Sequence, residues 1–121
     1  MLSAAAVSRA LVLTTSFSPD GKTLALADID KKMTLWDMET GEQQINSLGT
    51  FGAIRHLAFS SDGTLVAGGS LNNTIYLWNA QTGDEIAQWS NPDRGEGPYT
   101  GGVNDVAFSP DGKTLVVAYA D

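Results

Sequence analysis

The chain has 121 residues, with 7 Lys plus Arg against 14 Asp plus Glu, a formal net charge of −7, and no Cys. Its length lies within the range of one domain, and 42% hydrophobic with 17% charged residues excludes a disordered acidic tail, a collagen-like repeat or a disulfide scaffold. No run of basic residues supplies a phosphate-neutralising surface, so nucleic acid is not an expected partner, and the lack of Cys removes thiolate nucleophiles and Cys-type zinc sites.

The first stretch, Met1 to Leu13, is apolar, but no basic residue precedes Arg9, which interrupts it, so a cleaved secretion signal is not expected. The longest uninterrupted apolar stretch, Leu115 to Ala120, is six residues, against roughly 20 for a spanning helix. No membrane association is expected, and a cytoplasmic location fits.

A first strand, a, runs from Val12 to Phe17 and meets Ser18-Pro19-Asp20-Gly21. There Pro presets the first corner of a type I turn and Gly accepts the left-handed conformation that completes a hairpin. Strand b, Thr23 to Ala27, is apolar at consecutive positions, the pattern of a strand covered on both faces. A polar turn, Asp28 to Lys32, leads into strand c, Met33 to Trp36, and Thr40-Gly41 turns the chain into strand d, near Gln44 to Leu48.

The series then begins again. Phe17-Ser18-Pro19-Asp20-Gly21-Lys22-Thr23-Leu24 returns as Phe59-Ser60-Ser61-Asp62-Gly63-Thr64-Leu65 and as Phe108-Ser109-Pro110-Asp111-Gly112-Lys113-Thr114-Leu115, at steps of 42 and 49 residues. Leu35-Trp36-Asp37 recurs as Leu77-Trp78-Asn79, and Thr40-Gly41 as Thr82-Gly83, both at the 42-residue step. The seven extra residues before the third copy fall in an inserted loop, residues 91–102. Unit one covers about residues 12–48, unit two about 54–90, and a half unit about 103–120. Four short strands per unit, with no helical periodicity and with sheets buried on both faces, predict an all-β fold: four-stranded antiparallel blades stacked face to face as a propeller fragment, the third blade incomplete.

These markers resemble the WD40-repeat propellers: the Phe plus Ser-Pro-Asp-Gly turn, the Leu-Trp-Asp end of strand c, the following Thr-Gly, and a period within ~40 to 45 residues. The resemblance makes Asp20, Gly21, Trp36, Asp37, Asp62, Gly63, Trp78, Asp111 and Gly112 structural repeat residues. It also implies a tetrad in which a His closing strand d joins Trp, Ser or Thr, and Asp. Here Gly49-Thr50 and Val7-Ser8 occupy the Gly-His positions, so the tetrad lacks its His. Trp36 with Asp30, and Trp78 with Ser70 and Asn72, are the expected remnants of that network, because a buried indole N–H needs a partner.

His56, the only His, has no partner spaced for a metal or a nucleophile and reads as a surface or channel-lining side chain. Asp28-Ile29-Asp30-Lys31-Lys32 fails as a calcium loop at its third ligand, where Lys32 stands. Asn72-Asn73-Thr74 matches an N-glycosylation pattern but reads as a turn. Neither a catalytic constellation nor a cofactor is expected.

In propellers of the family that this chain resembles, the connection from d to the next a shares a face with the b to c turn, where partners often dock. The inserted loop therefore offers Asp93, Arg94, Glu96 and Tyr99, with Phe51 in its shorter counterpart, as candidate partner-binding residues; Tyr and Arg are frequent interface anchors. The resemblance implies a non-catalytic scaffold for a protein or peptide partner. The alternative is the propeller portion of a multidomain peptidase, hydrolase or signalling enzyme, with catalysis outside this chain.

Dividing 121 by 42 leaves just under three units, whereas propellers generally need four to eight. An arc of a larger ring is expected, completed by further WD40 repeats. An unmated blade face of roughly 500 Å² forfeits about 12 kcal/mol of burial at ~25 cal/mol per Å², which rivals a domain's stability of about 5 to 15 kcal/mol. Self-association through exposed blade faces is the corresponding expectation.

Overall fold

The computed structural model describes residues 11–49, 52–90 and 102–120. Ten strands make up its regular structure: β1 (Val12–Phe17), β2 (Thr23–Asp28), β3 (Lys32–Asp37), β4 (Gln43–Gly49), β5 (Ile54–Phe59), β6 (Leu65–Ser70), β7 (Thr74–Asn79), β8 (Glu85–Ser90), β9 (Val103–Phe108) and β10 (Leu115–Tyr119). They form two four-stranded antiparallel sheets, β1-β2-β3-β4 and β5-β6-β7-β8, and a two-stranded sheet of β9 and β10. No helix is present among the described residues, so none there is long and apolar enough to cross a membrane.

Each hairpin between a first and second strand is locked by the same short network. Ser18, Ser60 and Ser109 donate their hydroxyl protons to Asp20, Asp62 and Asp111 at 2.6, 2.7 and 2.6 Å. The same hydroxyls accept from the backbone N–H of Thr23, Leu65 and Thr114, each at 3.0 Å. Gly21, Gly63 and Gly112 take φ of 73, 75 and 71°, the left-handed conformation that the Ser-Pro-Asp-Gly pattern predicts.

The second repeat carries a register correction. Paired by sequence, Thr64-Leu65 matches Thr23-Leu24, but Phe17 pairs with Leu24 and Phe59 with Val66. Thr64 therefore occupies the position of Lys22, and Leu65 that of Thr23. A one-residue slip exchanges the two faces of a strand, so Leu65 faces the third sheet and Val66 the first.

Two apolar layers hold the sheets together. Between the first and second sheets lie Ala25, Ala27, Met33 and Leu35 on one side and Ile54, Val66, Tyr76 and Trp78 on the other. Between the second and third, Ala67 and Ile75 meet Val103 and Val106, flanked by Leu77, Phe108, Leu115, Val117 and Tyr119. Strand β6 thus buries alternate side chains in opposite directions, and Val66 to Ser70 are all buried. Strand β2 is likewise buried from Leu24 to Asp28. Strand β10 departs from the expected double cover: Leu115, Val117 and Tyr119 are half-buried, while Val116 and Ala118 are exposed, because no sheet covers that face among the described residues.

The two repeat tryptophans are accommodated differently. Trp78 is 1% exposed and its ring stacks on Tyr76 at 5.6 Å between centroids. A methyl group at Gly68 would lie 2.7 Å from Trp78 Cζ3, so the ring requires glycine there. Trp36 instead donates its indole N–H to Thr34 Oγ1 at 2.9 Å. The expected partnership of Trp36 with Asp30 is corrected accordingly: Thr34 lies two residues back on the same face of the same strand, where a hydroxyl reaches the indole without crossing a turn. Ser70 donates its hydroxyl proton to Asn72 Oδ1 and accepts from the Thr74 backbone, so this pair closes its own turn.

Candidate docking face

The turns from second to third strand and the connections that enter each first strand are stitched together by one recurrent bond. The N–H of Ile29 donates to the Leu11 carbonyl, that of Leu71 to Ala53, and that of Ala120 to Gly102, at 2.9, 3.0 and 3.0 Å. Turn and connection therefore share one face of the arc. The Leu71-Asn72 turn is wedged between two connection ends. A methyl group at Gly52 would meet Asn72 Cγ at 2.6 Å, and one at Gly102 would meet Leu71 Cα at 2.7 Å.

The turns themselves are built from within. Asp28 Oδ1 accepts the N–H of Asp30 at 2.9 Å and of Lys32 at 3.2 Å. Lys31 and Asn73, at corresponding places in the two turns, both take positive φ, 64 and 66°. This geometry leaves Ile29 and Leu71, again at corresponding places, 52% and 46% exposed at the turn tips, with Leu11 62% exposed beside Ile29. Sequence reasoning passed over these residues. The signal was an apolar side chain repeated at the second position of two otherwise polar turns, 42 residues apart.

Asp93, Arg94, Glu96, Tyr99 and Phe51 lie outside the described residues. What the structure describes is the ground on which their segments end: Gly52 beside Asn72 and Gly102 beside Leu71.

The opposite face carries the Ser-Asp turns, whose carboxylates are held ionised. The Ser18, Ser60 and Ser109 hydroxyls, followed by backbone N–H donors, lower the pKa of Asp20, Asp62 and Asp111, that of Asp62 to about 2. Ser61, standing where the other copies have Pro, donates its hydroxyl proton to the Pro110 carbonyl at 2.6 Å and ties the second turn to the third.

The turns from third to fourth strand explain why Leu-Trp-Asp and Thr-Gly travel together. Asp37 Oδ1 accepts from the N–H of Glu39 and Thr40 at 2.7 and 3.2 Å, and Asn79 Oδ1 from those of Gln81 and Thr82 at 2.8 and 3.1 Å. Thr40 and Thr82 hydroxyls then accept from Glu42 and Asp84 N–H, each at 3.2 Å. The sequence pattern records a side-chain-capped turn.

His56 lies on β5 with Nδ1 3.9 Å from Oδ1 of Asp105 on β9, a distance beyond a hydrogen bond. The pair assembles no nucleophile with a base. Among the described residues, no group of three or more acidic or His side chains is placed to hold a metal ion.

The family model described as "WD domain, G-beta repeat" matches residues 6–37, 42–79 and 94–121. The chain belongs to the WD40 repeat family. Two of the WD40 matches end on Asp37 and Asn79, the last residues of β3 and β7, so each repeat runs across a blade boundary: the second takes in β4 of the first sheet before β5 to β7 of the next. No curated protein matches the chain in sequence. Among solved structures, the RRP9 WD40 repeats superpose with a TM-score of 0.78 at 19% identity, and U3-55K with 0.76 at 18%. Both alignments cover 94% of this chain but only 38% and 39% of those chains. The shared feature is the WD40 propeller fold.

Proposed function

We propose that this chain is a non-catalytic scaffold whose WD40 blades hold a protein or peptide on the face formed by the second-to-third-strand turns and the connections between blades. The observation that carries this reading is the wedging of the Leu71-Asn72 turn between Gly52 and Gly102, which brings two connections to one exposed apolar rim with Ile29. Two four-stranded sheets joined by a buried apolar layer carry that rim. The inserted segment leads in sequence to Gly102 on this ground, so Arg94 and Tyr99 are its proposed anchors, with Asp93, Glu96 and Phe51 as further candidates.

The blades work in this proposal as an arc of a larger cytoplasmic ring. Support comes from the length of the two structural neighbours, of which the chain spans 38% and 39%. Further repeats, or a second copy, would cover the exposed Val116 and Ala118 face of β10.

The test compares proteins retained by the immobilised chain with those retained by an Arg94→Ala, Tyr99→Ala double variant. The variant is expected to lose specific retained proteins while its circular dichroism spectrum is unchanged. Equal retention by both would remove the loop from the docking face.

A further inference from the structure

Each first strand carries a bulge at the same place. The pairing of β1 with β2 shifts between Val12 and Thr14, that of β5 with β6 between Ile54 and His56, and that of β9 with β10 between Val103 and Asp105. The extra residues are Leu13, Arg55 and Asn104. A bulge takes its extra residue out of the ladder and re-aims the side chain. All three follow closely on Leu11, Ala53 and Gly102, whose carbonyls hold the turns of the docking face.

The three places differ in chemistry. On the first sheet the bulge residue is Leu13, close in the chain to the exposed Leu11, and Leu11 holds the turn that exposes Ile29. On the second it is Arg55, exposed, with Leu71 exposed on the turn that Ala53 holds. On the third it is Asn104. The face therefore changes from apolar to cationic to neutral across neighbouring sheets.

The Arg55 charge is uncompensated. Among the described residues no carboxylate pairs with it. Asp105, on the neighbouring inner strand β9, accepts the Val106 N–H at 2.9 Å and stands 3.9 Å from His56, so it is engaged elsewhere. In the turn into β3, Asp30 is followed by Lys31 and Lys32, and no excess of negative charge builds up there. Acidic residues gather at the other end of the sheets. Asp20, Asp62 and Asp111 lie in the Ser-Asp turns, and Asp37, Glu39 and Asp84 in the third-to-fourth-strand turns, which the N–H groups of Met38 and Ala80 tie to the Lys22 and Thr64 carbonyls. An anionic segment is thus repelled by that end and admitted by the docking face.

Spacing narrows the pattern. Packed sheets lie roughly 10 Å apart. A peptide in the polyproline II conformation returns to the same side every third residue, a rise of about 9 Å. One side chain can then rest on the first sheet while the third residue along reaches the second. A nucleic-acid backbone calls for a row of phosphate-neutralising cations, whereas here one unpaired guanidinium adjoins apolar side chains.

We propose that the docking face selects an extended acidic segment of another protein, in which a bulky apolar residue stands three positions from an Asp or Glu. The apolar side chain packs on Leu11 and Ile29 of the first sheet, and the carboxylate pairs with Arg55 of the second. This rests on the scaffold reading above and adds the chemistry of the partner.

The probe is an array of immobilised Gly-Ser peptides, each with one Trp and, three positions away on either side, Asp, Asn or Lys, incubated with the labelled full chain. The Asp peptides are expected to retain roughly two- to fivefold more protein than the Asn peptides at low salt, and placing Asp directly beside Trp should remove that excess. Arg55→Glu should transfer the preference to the Lys peptides, a reversal that a misfolded protein would not produce. Leu11→Ser with Ile29→Ser should lower retention by every Trp peptide. Dependence on Leu11 and Ile29 without a carboxylate preference would overturn this inference and leave the scaffold reading in place. Retention that survives both sets of substitutions, or none above a peptide of Gly and Ser alone, would also overturn it, and the Arg94 and Tyr99 comparison then decides whether the scaffold reading falls with it. Retention by an immobilised uridine oligonucleotide that is lost in Arg55→Glu would assign the guanidinium to phosphate and overturn the acidic peptide as partner.

Discussion

Thr34 Oγ1 accepts the indole N–H of Trp36 at 2.9 Å from two residues back on the same strand. In the next repeat the corresponding partner is the Tyr76 ring, stacked on Trp78 with 9° between the planes. One repeat position thus meets its tryptophan by a hydrogen bond and the other by ring contact. Replacing Thr34 with Val keeps the shape and removes the acceptor, so a loss of about 1 kcal/mol is expected in urea unfolding, with Thr34→Ser near wild type. Equal stability of the Val and Ser variants would show that the bond contributes nothing net.

Gly68 is where the second repeat yields to its tryptophan. An added methyl would lie 2.7 Å from Trp78 Cζ3 and 3.3 Å from Ile54 Cγ2, both in a fully buried layer. Gly68→Ala is expected to cost roughly 1 to 3 kcal/mol, and combining it with Trp78→Phe should give less than the sum of the two single losses, because the smaller ring vacates the contested space. Additive losses would place the strain elsewhere.

The Ser-Asp turns make the fold acid-sensitive in a defined window. Asp62 has its folded pKa lowered to about 2, first by the Ser60 hydroxyl and then by Thr64. A depressed carboxylate pKa stabilises the fold in full above the unfolded value of about 4, and that contribution is lost as pH falls through about 2. Thermal midpoints of the wild type should therefore drop more steeply between these pH values than those of Asp62→Asn. Parallel curves would mean that the ionised form is not the one the turn prefers.

Asn79 performs the turn-capping role of Asp37 without a charge. Asp37→Asn is accordingly expected to stay within about 0.5 kcal/mol of wild type, whereas Asp37→Ala, which frees the Glu39 and Thr40 N–H groups, should lose about 1 kcal/mol. Chemical denaturation of the three proteins separates capping from charge.

On β10, Val116 is 59% exposed on the face that its counterparts in β2 and β6 bury. Val116→Glu should lower the weight-average sedimentation coefficient if this face drives association, because a desolvated carboxylate is costly in an apolar contact. Unchanged sedimentation would exclude the β10 face as a contact between copies.

Much of this architecture was legible because repeated residues act locally. The Ser-Pro-Asp-Gly hairpins and the Asp37 and Asn79 turns are closed by bonds spanning two to five residues, so their signatures survive in the linear pattern. The slip at Thr64 was hidden because the eye pairs identical letters, whereas the ladder counts residues from Phe59 to Val66 and puts Leu65 on the third-sheet side. Trp36 illustrates the same limit: its partner followed from strand alternation, not from the family tetrad. Ile29 and Leu71 were visible as letters, but their exposure depends on how the turn is stitched to Leu11 and Ala53.

By itself, the sequence determined the repeat, the hairpin turns and the all-β character, since each follows from contacts within a few residues and from backbone preferences of Pro, Gly and Asp. Only the tertiary structure decided which side chains share a layer, which face of β10 stays uncovered, and that Leu71 and Asn72 lie between two connections. Those outcomes depend on sheets meeting across tens of residues, where a shift of one position reverses a strand's faces and no local pattern records it.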